Sequence, residues 1–268
     1  MTLREILDFV NFNARKSQEG DTMNADEFNT LIATFNVQIF EDEFASVELQ
    51  ARAQGLSVYD LLYTNSALRP FRIKTNITTA LGLANLPADY SHYITFLAKF
   101  GVQERIIEVV SEKVLNIKRT SLIESDPSIS PVVAIYANQM QFLPKTIGAS
   151  VPIEMVYLKK PSTPFYDECF ANDSNLRIYM PAGSYITAAT FISNIPNLYS
   201  SDGTLLQLGV NHSQWSDASI IEGGPAQIYT SKTVELEWEE RMHLIMIQHL
   251  LAVLGVSLRT PLTNAPQK

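Results

Sequence analysis

The sequence predicts an α+β protein with an N-terminal helical region and a central, mostly antiparallel β-sheet. A loop-rich β region is inserted into that sheet, and an apolar helix closes the chain. Three observations lead there. Leu3, Ile6, Leu7 and Val10, and again Phe28, Leu31, Ile32, Phe35 and Ile39, recur at the three- and four-residue spacing of a helix face. From Pro70 the chain changes to short runs rich in Ile, Thr, Val and Tyr, broken by Pro and Gly, which is strand texture. "MHLIMIQHLLAVLG", Met242 to Gly255, is apolar almost all round. It falls short of the ~20 residues a membrane span needs and has the length of a buried helix. These textures place the helical region at 1–69 and the β-rich core with its final helix at 70–164 and 231–258. The insertion occupies 165–230, and 259–268 forms an extended tail.

In chain order, Thr2 and Glu5 have capping-box spacing and open a first helix that runs to Ala14. A second helix starts after "KSQEGDTMN" and runs through Val47 to Ala53, with Gly55 as its stop. Ser57 and Asp60 open a short third helix bearing Leu61 and Leu62. "FRIKTNITTALGL" reads as strand, and "LPADYSHYITFLAKFG" as a turn followed by strand or short helix. "RIIEVV" reads as a buried strand and "SEKVLNIKRTSL" as a polar helix opened by Ser111. "PVVAIYANQMQFLP" is a strand pair hinged near Asn138-Gln139, and "VPIEMVYLKKP" a further strand ending at Pro161. The short connections favour antiparallel pairing. Between Ser162 and Thr230 small strands such as "LRIYM" and "TLLQLGV" sit between turn signals. "TVELEW" returns to strand alternation before a final helix, Glu239 to Leu254.

Composition excludes several function classes. The 268 residues carry 46% hydrophobic and 18% charged side chains, as an ordered globular chain does. The net charge of −8 argues against a broad phosphate-binding surface. The single cysteine, Cys169, cannot form an intrachain disulfide and reads as a reduced thiol. The early acids and absent long apolar core of "MTLREILDF" do not make a signal peptide, so a soluble protein is expected.

The stretch "KSQEGDTMNADEFN" has the look of half an EF-hand. With Gly20 at the turn, however, the first ligand position falls on Arg15, the third on Ser17 and the last on Asp26. A cation cannot replace the first carboxylate. Asn24 and Glu27 have instead the spacing of a capping box, with Met23 and Phe28 as its hydrophobic staple, so this is a hinge leading into a helix. Glu240-x-x-His243 has di-iron spacing, but such centres need that motif twice, and the only other match, Asp89 before His92, is not on a long helix. No phosphate-loop, dinucleotide, nucleophile-elbow or zinc-protease motif occurs. No catalytic, cofactor-binding or metal residue is assigned. The final helix, apolar on several sides, is buried within the fold or against a neighbouring subunit, which makes Met242, Ile245, Met246, Leu250 and Val253 candidate subunit-packing residues.

Several segments together resemble the neck and tail ring proteins stacked between portal and tail in crAss-like bacteriophages. They are "FVNFNARKSQEGDTMNADEFNTLIATFNVQIF", "LPADYSHYI", "IIEVVSEKVLNIKRTSL", "SPVVAIYANQMQFLPKTI", "IEMVYLKKPSTP" and "TVELEWEERMHLIMIQHLLAVLGVSLR". Their order and spacing, rather than any diagnostic motif, carry the resemblance over most of the chain; residues 165–230 depart from it. It implies a virion structural protein without enzymatic activity or cofactor, made in the bacterial host cytoplasm. Identical subunits would form a ring, twelve-fold to match a portal, beside the portal and other neck or tail ring proteins. Genomic DNA would pass through the lumen without specific binding, and no membrane is involved. An acidic chain suits such a conduit because it repels phosphates. The alternatives are a hydrolase or a binding module built on 165–230, the hydrolase using polar groups around His212, Asp217 or Glu222.

If the Lys16–Asn29 stretch is a capped helix start, calcium and chelators will leave the melting temperature unchanged. Asn24→Ala will cost about 1 kcal/mol in urea denaturation.

Overall fold

The computed structural model describes residues 1–17, 22–100, 103–120, 131–145, 147, 151–171, 177–187, 198–199, 205–207 and 227–256. It has the α+β class expected. Packing divides the chain into two compact units, Met1–Ile39 with Ser162–Lys268, and Phe40–Pro161.

The first unit contains α1 (Leu3–Ser17), the first part of α2 (Ala25–Gln54) and the C-terminal helix α5 (Glu240–Val253). Both expected capping boxes form reciprocally. Thr2 N–H donates to Glu5 and Glu5 N–H to Thr2 Oγ1. Asn24 N–H likewise donates to Glu27 at 3.1 Å, and Glu27 N–H to Asn24 Oδ1 at 2.8 Å. Met23 and Phe28, the two staple residues, are both buried. The chain reaches this start through Asn11, whose side chain donates to the Met23 carbonyl and accepts from the Met23 N–H.

The apolar stripe of α1, Leu3, Ile6, Leu7, Val10 and Ala14, is buried, and α1 packs on α5. This corrects the domain boundaries drawn from texture. The C-terminal helix belongs with the N-terminal helices, because two apolar helix faces bury each other. "TVELEW" is also not a strand: only Phe165 and Val234 form a bridge there. Its acids serve other backbones, Glu235 accepting from Leu3 N–H and Glu237 from Ser162 N–H.

Within the 165–230 region short antiparallel strands form two small sheets. β8 (Glu168–Ala171), β9 (Arg177–Tyr179), β11 (Leu198–Tyr199) and β12 (Leu205–Gln207) make one. β10 (Tyr185–Thr187) and β13 (Gln227–Thr230) make the other.

The second unit is built on seven strands. These are β1 (Arg72–Ile77), β2 (Leu83–Asn85), β3 (Tyr90–Phe100), β4 (Gln103–Val109), β5 (Val132–Tyr136), β6 (Gln139–Leu143) and β7 (Ile153–Lys159). Their order is β1-β7-β3-β4-β5-β6-β2. The sheet curls around a core that draws on every strand, among them Ile77, Ala84, Phe96, Ile107, Val133, Phe142 and Met155. β3, the longest strand, bends at two register shifts, between Tyr90 and His92 and between Tyr93 and Thr95. Every residue from Ile153 to Leu158 of β7 is buried. On the outer face Phe40 and Phe44 of α2 meet His92, the latter in a stack at 3.7 Å between ring centroids. The short α3 (Val58–Thr64) begins at Ser57, whose hydroxyl accepts from Tyr59 N–H.

Three strand expectations change. "FRIKTNITTALGL" is two strands, β1 and β2, separated by a hairpin at Leu81 and Gly82. One pair, β4 with β5, is parallel, because α4 (Glu112–Thr120) lies between them and supplies the crossover. β4 is also mostly not buried: Ile107 is its one buried residue, Val109 packs partly buried against the core, and Ile106 is 73% exposed. Most of its length has only β3 beside it, since β5 pairs only from Glu108.

Acid and base bridge four consecutive strands on the outer face. Glu154 of β7 lies between Lys74 of β1 and Lys99 of β3, each ammonium 2.7 Å from one carboxylate oxygen. Lys99 reaches on to Glu104 of β4 at 3.8 Å. The two lysines hold the buried Glu154 carboxyl below its ordinary range against the opposing effect of burial.

The Leu81–Gly82 hairpin is closely packed. Ala80 and Leu83 exchange both backbone hydrogen bonds around it, and Leu81 and Gly82 both lie at positive φ, 56° and 78°. A Cβ on Gly82 would fall 2.9 Å from Lys145 Cα and from the Phe142 carbonyl oxygen. Gly82→Ala should therefore destabilise the protein by at least about 2 kcal/mol, combining left-handed strain with overlap. Leu81→Asn, at an 83% exposed site, should stabilise by up to about 1 kcal/mol. Denaturation midpoints of the two variants should move in opposite directions.

Candidate functional site

The connection from β2 to β3, the β5–β6 hairpin and the end of β7 meet at one end of the curled sheet. They enclose a cleft of about 530 Å³. Asn85, Leu86, Pro87, Ala88, Tyr90 and Ser91 line one wall; Ala137, Asn138, Gln139 and Lys160 supply the rest. Backbone bonds fix both walls. Asn85 is the register partner of Gln139, Leu86 N–H donates to the Asn138 carbonyl at 3.0 Å, and Tyr90 N–H donates to the Pro87 carbonyl at 3.1 Å. Lys160 N–H donates to the Asp89 carbonyl at 2.7 Å. The Asp89 carboxylate accepts from the Tyr157 hydroxyl at 2.9 Å; burial and this bond push that phenol up to about 12. Among the described residues, no hydrogen bond or ion pair engages the Asn85, Asn138 and Gln139 carboxamides or the Lys160 ammonium, which leaves these four groups to water or a ligand.

A second cleft, of about 550 Å³, lies in the first unit between the start of α2 and the end of α5. Met23, Asp26, Glu27, Thr30, Leu31, Val253 and Leu254 are among its lining residues.

The residues singled out from sequence separate into distinct environments. Of the candidate subunit-packing set, Met242, Met246 and Leu250 are buried inside the first unit and are unavailable to a neighbour. They form the inner face of α5, which α1 covers. Ile245 is half-buried, and Val253, at 56%, is exposed. Glu240 points to solvent and approaches the Met1 amine at 3.6 Å, whereas His243 is buried, so the Glu-x-x-His spacing assembles no ligand pair. Among the described residues no group of three or more His, Cys, Asp or Glu side chains is placed to hold a metal. Cys169 is fully buried, and burial together with the Asp167 and Glu168 charges pushes its thiol up to about 12. His212, Asp217 and Glu222 lie outside the described residues.

Sequence reasoning missed the polar fasteners on α2. Asn29 donates to the Tyr166 carbonyl and accepts from the Tyr166 N–H. The buried Asn36 donates to the Ser162 carbonyl and accepts from Trp238 Nε1. Their signal was two carboxamides seven residues apart on a helix face that is otherwise apolar.

No protein-family description matches the chain, and no curated protein matches it.

Two histidines, the buried His243 and the half-buried His92, bear on pH. Neither ring nitrogen of His243, which is 4% exposed, makes a hydrogen bond of good geometry, although the Trp238 backbone lies near enough to favour its protonated form. Burial and the Met1 amine lower its pKa, opposed by the Trp238 carbonyl, Glu240 and Glu235. Burial also lowers that of His92, against Glu41 and Glu48. Well above about pH 6.5 both rings are neutral whether folded or unfolded. Below it the unfolded chain takes up protons first, so stability falls with pH by up to about 1.4 kcal/mol per unit per histidine. Urea midpoints should therefore drop between pH 7.5 and pH 5, and His243→Leu should flatten that drop.

Proposed function

We propose that this chain is a non-enzymatic virion structural protein, one subunit of an oligomeric ring connecting a phage portal to its tail around the DNA channel. The sequence resemblance to neck and tail ring proteins points to this reading. One structural observation supports it: the two outer helices of the first unit keep apolar side chains in solvent. α1 exposes Phe9 and Phe12, the latter 65% exposed, and α5 exposes Leu244 at 58% together with Val253. Exposed phenylalanines and aliphatic side chains on two packed helices are what a subunit carries on a surface that a neighbour covers. Head-to-tail repetition of such a contact closes into a ring when the rotation allows. The net charge of −8 supports a wall that DNA passes without sticking. On this reading the protein is made in the host cytoplasm and resides in the virion, against identical subunits, the portal and other ring proteins.

Mass photometry of the purified chain, alone and mixed with portal particles, tests this. Rings, or addition of many copies to the portal, are expected. Phe12→Asp with Leu244→Asp should abolish assembly while leaving the circular dichroism melt intact, since both side chains are exposed. A chain that stays monomeric and also fails to join portal particles would sink the proposal.

A further inference from the structure

We infer that the cleft at the end of the curled sheet binds an acidic saccharide, a sugar ring presenting several hydroxyls and one carboxylate. The chemistry of the lining selects this class. Asn85, Asn138 and Gln139 bring three carboxamides, from two chain segments, to one concavity. Each offers a donor and an acceptor side by side, and a sugar hydroxyl likewise donates and accepts, so amides satisfy adjacent hydroxyls where a charged group would satisfy only one role. Leu86, Pro87, Ala88 and Tyr90 supply apolar surface for the C–H face of a sugar ring. Lys160 is the one charged side chain in the lining, and it has no ion pair among the described residues. A lone ammonium favours a single carboxylate.

Other ligands fit less well. A nucleic acid backbone needs several cations, and this lining has one. A peptide adding to the sheet needs a longer free edge than three-residue β2. The volume of about 530 Å³ lies within the ~300–1,000 Å³ typical of small-molecule sites, which often occupy the mouth of a barrel-like sheet. The frame is also preorganised: the amides stand on a registered strand pair and its hairpin, so binding orders side chains rather than backbone.

The test uses the full chain with three probes, glucuronate, glucose and inorganic phosphate, followed by ¹⁵N-correlated NMR. Glucuronate should shift the side-chain amide resonances of Asn85, Asn138 and Gln139. Glucose should bind roughly tenfold more weakly, as expected on losing a charge-assisted hydrogen bond. Lys160→Met should equalise the two sugars, and Asn138→Ala with Gln139→Ala should abolish both, with melting curves confirming the fold. The inference fails if neither sugar moves those amides up to its solubility limit. It fails also if phosphate displaces glucuronate, or if Lys160→Met leaves the preference intact. Ring assembly does not enter these readouts, so either proposal can fail while the other stands.

Discussion

The second unit depends on a constraint of chain length. β1 and β2 stand at opposite ends of a seven-strand order, yet only residues 78–82 join them. Seven strands laid flat would separate the outer pair by about 29 Å, at roughly 4.8 Å per gap. Six residue steps of fully extended chain reach about 21 Å, and this link also folds into a hairpin. A flat sheet is therefore impossible, and the strands must curl until their ends approach. The curl creates one enclosed core, and the bends of β3 absorb the curvature. It also explains why the hairpin cannot tolerate a side chain at Gly82: the link is packed directly on the β6–β7 connection.

With the sheet curled, its outer face still has polar groups to satisfy. Burial disfavours the charge on Glu154, and lysines from both neighbouring strands outweigh that and hold its pKa down. The α2 carboxamides do equivalent work in the first unit, where Asn36 loses neither its donor nor its acceptor on burial. A buried polar group costs little only when its bonds are made, and among the described residues most buried side-chain polar atoms have a partner. His243 departs from that pattern, without a hydrogen bond of good geometry in the core of the first unit, and so ties the stability of its helices to pH.

The two functional proposals draw on different surfaces for a physical reason. Helix faces left apolar on the outside of the first unit suit contact with protein, which excludes water over a broad area. The cleft in the second unit is concave and amide-lined, and suits a small hydroxylated ligand. The described cysteine is buried and lines neither cleft.

The sequence by itself determined whatever depends on neighbours within a few residues. Capping boxes at Thr2 and Asn24 were legible because both partners lie three residues apart, and helix stripes because their period is local. The β5–β6 hairpin was legible from turn residues between two apolar runs. Only the tertiary structure decided which side of an all-round apolar helix is core. Met242, Met246 and Leu250 turn inward because α1 happens to lie there, and Leu244 and Val253 stay out. Only the structure decided that "TVELEW" gives its carboxylates to distant backbones rather than joining a sheet. The cleft was equally invisible, since β2–β6 pairing sets Asn85 beside the Asn138 hairpin and the curl of the sheet adds Lys160. Such groupings depend on contacts between residues far apart in the chain, and one-dimensional periodicity carries no record of those.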